Sequence, residues 1–574
     1  MPGPPGRSAR HRVMAGARAP WAIMRAVPRV HQTVVVDAAT AEDMLGPRTD
    51  LLDERPWTPG DDDAWDRDDP DLGWGDGWER TGTFALARGP MTSYRRDVAA
   101  RPAPDGRVEV DEVTRFRSAL GFWGAWVALP VARALRRTTG RTRPRSPFWA
   151  PPDALDARSG TVLGLLLTLA LVAGYLGTVM TQTITFAADE FGRGTTAQGG
   201  ALAAVRIGTL GSLVLVALAD RRGRRRLLLG SLVAAILATV AGAFAPSLEV
   251  LGVTQTLARG FTTAVTLLLA IVAAEEMPKG TRAYAISVMT MTGALGAGMA
   301  IWALPLADVG DGGWRILYLL PVLGLPVVAR VRRTLPESLR FVRPHRSATV
   351  LRGHAGRLAA IGGAMFCASA FGAPSSQLLN DFLRDERGFS AARISLFTIL
   401  TSTPAGLALV AGGRLADTRG RRHVVAVGVA GGALLASWGF TAHGWPLWAA
   451  NLGGTMLGAL AVPALGAYGP ELFPTAARGK ANGILQLLSV AGSALGLVVA
   501  GVAKDRWGQL SDGIFLLLPL GLLVAVLALT VFPETARREL EDINPEDDVV
   551  VGPDGVPTPA PLRPPAGSPP PGLP

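Results

Sequence analysis

The sequence predicts an all-α membrane protein: twelve transmembrane helices in two homologous six-helix halves, with disordered N- and C-terminal extensions. Three observations predict it. Charge-free apolar runs recur through most of the chain, lysines and arginines collect in alternate loops, and three short motifs return in the same order at one offset.

The 574 residues are 49% apolar and 18% charged, below the ~25% charge of an average soluble domain. No charged residue occurs in 161–188, 227–248, 283–307, 358–380, 424–470, 481–503 or 513–533. A bilayer core takes ~20 residues of apolar helix, so each run can span and 424–470 can span twice. The expected spans are 160–186, 196–219, 226–246, 249–274, 283–305, 314–331, 358–380, 392–413, 423–441, 446–469, 480–502 and 513–532. The sixth is short between Arg315 and Arg330, whose long side chains can reach the interface.

An even number of spans puts both termini on one side. The loops on that side carry 21 Lys and Arg and the opposite loops seven, which makes the basic side cytoplasmic. The net charge of +11 is thereby read as a topology signal, with the lipid bilayer as partner and no nucleic acid. Cys367 is the lone cysteine, so no disulfide forms within the chain, and a thiol in an apolar run is a packing residue. Six histidines and one cysteine offer no metal site and no nucleophilic dyad. "PTAARGK" has Pro474 where a phosphate-binding loop needs its first glycine. The expectation is no enzyme, no metal and no cofactor.

Residues 1–157 differ from the rest. The N-terminus lacks the apolar stretch of a signal peptide. Between Asp53 and Arg80 lie eleven acids and four tryptophans among Gly and Pro, a composition read as a disordered cytoplasmic extension, with docking on a partner as the alternative. "LGFWGAWVALPVARALRR" (120–137) is too short to span and reads either as an interfacial helix with its arginines at headgroups or as a short docked piece. The remaining divisions are a first half at 158–331, a cytoplasmic interhalf loop at 332–357, a second half at 358–535, and a disordered cytoplasmic tail at 536–574.

The repeat is specific. "LADRRGRR" holds Asp220 and Gly223, and "LADTRGRR" holds Asp417 and Gly420, offset by 197. "EEMPKGTR" holds Glu275 and Arg282, and "ELFPTAARG" holds Glu471 and Arg478, offset by 196. "LPESLRF" holds Glu337 and "FPETARREL" holds Glu534, again offset by 197. Such repeats mark secondary transporters, whose sites lie between the halves near the midplane. Over residues 158–545 the chain resembles the major facilitator superfamily, and the E-x-x-P-x-x-x-R, "PES" and "PET" motifs are similar to its sugar porter branch. It departs at Val216, where the signature has a glycine that the second half keeps as Gly413. It offers only Gln377 where sugar porters carry a glutamine pair, and Leu176 where proton-coupled members often place an acid.

The resemblance implies a conformational latch at the cytoplasmic junction, made of Asp220, Arg221, Gly223, Arg224, Arg225, Glu275, Arg282, Glu337, Asp417, Gly420, Arg421, Arg422, Glu471, Arg478 and Glu534. Asp220 would face the start of the eleventh helix and Asp417 that of the fifth, while the arginines pair with the four glutamates. The residues favour the same outcome, since a carboxylate at a helix N-terminus gains ~0.3–1 kcal/mol and the two glycines permit a tight turn.

Arg206 and Arg259 stand inside apolar helices, each ~21–24 Å from the cytoplasmic motifs. An intramembrane charge normally faces a cavity, so they are candidates for an anionic substrate group. The alternative is that they satisfy backbone carbonyls or lie nearer the outer surface. Gln182, Gln377, Asn380 and Asn451 are candidate hydrogen-bonding residues, or else join helices. The expected function is a monomeric plasma-membrane porter of a small polar metabolite, sugar-like or an organic acid, with a proton as candidate co-substrate. Two alternatives stand beside it: a proton-coupled drug exporter, against which the missing Gly-Pro in the fifth helix counts, and a non-transporting sensor.

Overall fold

The computed structural model describes residues 28–58, 61, 74, 77–139, 141, 147, 149–193, 195–310, 312–337, 354–379, 382–389, 391–474, 477–544, 549–551 and 557–559. The chain divides into two compact units, Met1–Arg145 and Ser146–Pro574.

Most of the first unit corrects the expectation of disorder. Strands β1 (Arg29–Val36), β2 (Asp53–Pro56), β3 (Arg80–Arg88), β4 (Met91–Pro102) and β5 (Val108–Ser118) form one antiparallel sheet in the order β1-β5-β4-β3-β2. Helix α1 (Ala38–Leu45), capped by Asp37, supplies Ala41 and Met44 to a core with Phe84, Val98, Ala100 and Val110. Helix α2 (Gly124–Leu135) follows the sheet. The charges that argued for disorder are largely buried in pairs. Arg96 bonds Glu54, which also accepts from Tyr94; Arg141 bonds Glu112 at 2.7 and 2.9 Å; Arg48 bonds Asp50. Pairing removes the cost that would keep such groups in water. Burial pushes the Glu112 carboxyl up, but Arg141, Arg96 and Arg48 outweigh it and hold it below its ordinary value. Most of the acidic segment 53–80 lies outside the described residues. In the tail, strands β6 (Val549–Val551) and β7 (Pro557–Pro559) pair where no structure was expected.

The second unit is helical. The first half contains α3 (Ala157–Glu190), α4 (Thr195–Arg222), α5 (Arg224–Gly242), α6 (Leu248–Glu276), α7 (Arg282–Trp302), and a sixth segment of α8 (Trp314–Leu319) and α9 (Gly324–Thr334). The second half contains α10 (Ala355–Gln377), an eighth segment of α11 (Ala391–Ser402) and α12 (Ala405–Arg419), then α13 (Arg421–Thr441), α14 (Trp445–Glu471), α15 (Arg478–Trp507) and α16 (Leu510–Thr530). Helix α17 (Leu540–Ile543) closes the series. The breaks in the sixth and eighth segments fall at Pro321 and Pro404, which lack the N–H that continues a helix. Among the described residues eleven helices are long and apolar enough to cross a membrane. The expected second span is α4, a helix of 28 residues that includes the apolar stretch Gly208–Ala219.

Glycines set the spacing within each half. A Cβ at Gly296 would come within 1.9 Å of the Leu171 carbonyl, and one at Gly492 within 2.2 Å of that of Phe366. These equivalent residues join α7 to α3 and α15 to α10 backbone to backbone, as small residues do in membrane bundles. The interhalf loop, 338–353, lies outside the described residues.

Candidate functional site

The repeated motifs converge at one end of the bundle, where α4, α6, α12 and α14 finish and α5, α7, α13 and α15 begin. Gly223 and Gly420 occupy the left-handed region at φ 99° and 101° and turn α4 into α5 and α12 into α13. Glu337 then accepts from the backbone N–H groups of Arg224 and Arg225, both at 3.0 Å. Its counterpart Glu534 accepts from those of Arg421 at 3.0 Å and Arg422 at 3.4 Å. The bonds shown for these two glutamates are to backbone N–H groups, a role that the expected pairing with arginine side chains did not include. Each caps a helix N-terminus, where four N–H groups lack partners. The Arg225 and Arg422 side chains instead donate to the Arg332 and Leu529 carbonyls.

The other members form a buried cluster carried by both halves. Glu275 of the first half is paired with Arg224 of its own half and with Arg478 of the second. Glu471 of the second half is paired with Arg421 of its own half and, at 3.8 Å, with Arg282 of the first. All six side chains are at most 1% exposed. Arg421 also holds Asp417 at 2.9 Å. Asp417 accepts from the N–H groups of Tyr284 at 2.9 Å and Ala283 at 3.4 Å, at the start of the fifth span. The side chains of Asp220 and Arg221 lie outside the described residues.

Packing at this end also crosses the halves. A Cβ at Gly413 would lie 2.6 Å from Ser287 Oγ and 2.7 Å from the Ala283 carbonyl, so α12 approaches α7 through that glycine. Val216, which takes the equivalent place in α4, is fully buried. Gly466 meets Ile286, and Gly483 meets Leu213. At the opposite end the polar contacts shown by the described residues stay within one half. Arg315 bonds Glu190 at 2.8 Å and the Ala243 carbonyl at 2.7 Å; Arg387 bonds the Phe440 carbonyl at 2.9 Å; Glu386 accepts from the Leu510 N–H.

Sequence reasoning missed two contributors, the segment before α3 and the start of the tail, where Asn544 donates to the Glu471 carbonyl at 2.7 Å and Glu539 lies 3.8 Å from Arg282. The segment before α3 lies across the junction. Arg414 of α12 donates to the Pro147 carbonyl at 2.6 Å and also to that of Ala150, while Tyr284 of α7 donates to the Trp149 carbonyl at 2.7 Å. These are side-chain bonds to backbone carbonyls, which carry no sequence signature.

The described candidate substrate residues are spread over α3, α6, α10 and α14. Arg259 is half-buried, with Nη1 3.5 Å from where a Cβ on Gly177 of α3 would stand. Gln182 is half-buried and Gln377 exposed. Asn451 donates to Thr401 Oγ1 at 2.7 Å, joining the eighth and tenth spans. The Arg206 side chain and Asn380 lie outside the described residues.

Two repeated bundles clasped across one end have the architecture of a membrane transporter. Residues 163–352 match the family model described as "Sugar (and other) transporter", and residues 359–568 match "Major Facilitator Superfamily". The chain belongs to the major facilitator superfamily and is similar to its sugar porter branch. Among solved structures, the proton:xylose symporter XylE bound to 6-bromo-6-deoxy-D-glucose has TM-score 0.58 at 19% identity, covering 68% of this chain and 99% of that one. The human organic anion transporter MFSD10 (TETRAN) has TM-score 0.52 at 18% identity, covering 65% and 99%. At these identities the likeness is one of fold. No curated protein matches the chain.

Proposed function

We propose that the protein carries a small polar metabolite, sugar-like or an organic acid, across the plasma membrane by alternating access, with both termini cytoplasmic. Residues 158–331 and 358–535 are the moving halves, and the buried Glu275 and Glu471 clusters are the latch that closes the cytoplasmic end. The observation that carries this reading is the asymmetry between the ends. Buried ion pairs and glycine contacts cross the halves at the basic end, while the described contacts at the other end stay within halves. Opening inward separates Arg478 from Glu275 and Arg282 from Glu471. Water then solvates the freed charges, so the net cost of opening stays far below the cost of stranding one of them in a dry site. A latch worth a few kcal/mol keeps the closed form dominant and still lets substrate shift the balance.

Arg206 and Arg259 are the proposed attractors of an anionic group, with Gln182, Gln377, Asn380 and Asn451 as hydrogen-bonding partners. A thermal-shift series on the purified protein with sugars, polyols, carboxylates and cationic drugs tests this, because a binder stabilises the folded state. The expected result is stabilisation by carboxylates or sugars, with the carboxylate shift lost in Arg206→Gln or Arg259→Gln. Stabilisation by cationic drugs alone would favour the exporter. The folded first unit favours the sensor as second reading. If the chain lacking 1–145 loses a downstream response while the intact chain shows no uptake in vesicles, the sensor replaces the porter.

A further inference from the structure

We propose that α2 of the first unit is a bilayer-docking helix, which lays one face on the lipid leaflet at which α3 begins. The helix has two different sides. Gly124, Val131, Ala134 and Leu135 are buried against its own unit. Arg48, fully buried, donates to the Leu135 carbonyl at 2.7 Å and to that of Ala134 at 3.3 Å, which pins the end of the helix to the unit. The outward side starts with Phe122 in the turn before the helix and runs through Trp126, Leu129 and Arg133, at the i, i+4, i+7, i+11 spacing of a single stripe, and Arg136 and Arg137 follow the helix end. Phe122, Trp126 and Leu129 are 53%, 70% and 60% exposed. Arg133, Arg136 and Arg137 are exposed as well, and no acid occurs between 121 and 137.

A soluble unit gains nothing by holding Trp126 and Leu129 rigidly in water. A lipid interface accepts both ends of the stripe: the aromatic and aliphatic groups enter the headgroup–acyl boundary, and the arginines meet lipid phosphates. The chain supplies the proximity. Ala157, the start of a membrane-crossing helix, is 20 positions after Arg137, so the stripe is tethered within ~70 Å of the bilayer at full extension. A tether of that length makes docking effectively intramolecular, so weak contacts are enough.

The test uses the full-length protein with Cys367→Ser, carrying an environment-sensitive fluorophore at Leu129→Cys or, as control, at Asp105→Cys. Asp105 is exposed in the turn between β4 and β5, a strand length from α2. The protein is reconstituted in phosphatidylcholine vesicles with phosphatidylglycerol at about 3:1, with and without spin-labelled lipid. The expected result is that lipid quenches the label at 129 about threefold or more above that at 105. That excess should fall when phosphatidylglycerol is omitted or when Arg133→Glu and Arg137→Glu are combined. Equal quenching at both positions overturns the proposal. So does a label at 129 that is shielded from water yet not quenched, since a protein surface then covers the stripe. Hydrogen exchange on the unmodified chain gives an independent check: amides 122–129 should be better protected in bilayers than in detergent, and equal protection overturns the proposal.

Discussion

Two clusters of buried arginine and carboxylate differ in what their members are attached to. In the first unit, Arg48, Arg96 and Arg141 hold Asp50, Glu54 and Glu112, and every partner belongs to the same folded body. In the helical unit, Arg478 reaches Glu275 and Arg282 reaches Glu471 from opposite halves of a repeat. The chemistry is shared, and so is the desolvation each charge must offset. In the first cluster no motion of the whole unit separates the partners, so the cluster is a permanent part of a core. In the second, a rigid-body motion of the halves separates them, so the same groups become a switch.

The sharpest way to break the comparison is to remove one arginine from the permanent cluster. Arg96→Leu leaves the buried Glu54 carboxylate without its cation, and the loss should be about 3–5 kcal/mol. Hydrogen exchange should show the first unit opening while the thermal transition of the helical unit stays in place. A smaller effect is expected at the switch. Glu275→Gln removes the charge shared by Arg224 and Arg478, but those arginines can hydrate when the halves part, so the balance should shift by about 1–3 kcal/mol. Reactivity of a cysteine placed at Ser287, buried at the junction, should rise roughly tenfold or more. Asp417→Asn keeps the hydrogen-bonding shape and loses only the charge at the start of α7, so a shift of about 0.5–2 kcal/mol in the same assay is expected. Arg414→Gln should do least. It removes bonds to two carbonyls of the segment before α3, worth about 1–3 kcal/mol at most and less where water replaces them. Reactivity at Ser287 should rise less than in Asp417→Asn. A larger rise would make that segment a principal part of the closure.

The helical unit was legible because lipid imposes long charge-free helices, and because duplication left Glu275 and Glu471, or Glu337 and Glu534, at a repeat distance that chance does not reproduce. The partners of Glu337 and Glu534 were not legible. A glutamate that caps a helix and one that pairs with an arginine look alike in sequence, and only the backbone at Arg224 and Arg421 distinguishes them. The first unit was misread for a related reason. Strands β4 and β5 bury Arg96, Asp97, Glu112 and Arg115 among apolar residues, so the apolar alternation that signals a strand is broken by charges whose partners lie far along the chain. Arg96 meets Glu54 across 42 residues. Composition therefore reported charge where the fold holds neutral pairs. Substrate residues were the least legible part, since Asn451 bonds Thr401 within its own half and a polar residue that joins helices has the same sequence context as one that binds a solute.

The most direct test of the switch is a pair of distances across the halves, measured between spin labels in bilayers. One pair joins Lys279→Cys to Thr418→Cys at the basic end, and the other joins Val309→Cys to Trp445→Cys at the opposite end, all four positions being exposed. When Glu275→Gln and Glu471→Gln are combined, the basic-end distance should lengthen while the opposite-end distance shortens, as the halves rock about a site between them. If both distances lengthen together, or neither moves, the buried clusters are a permanent core like that of the first unit, and the latch is contradicted.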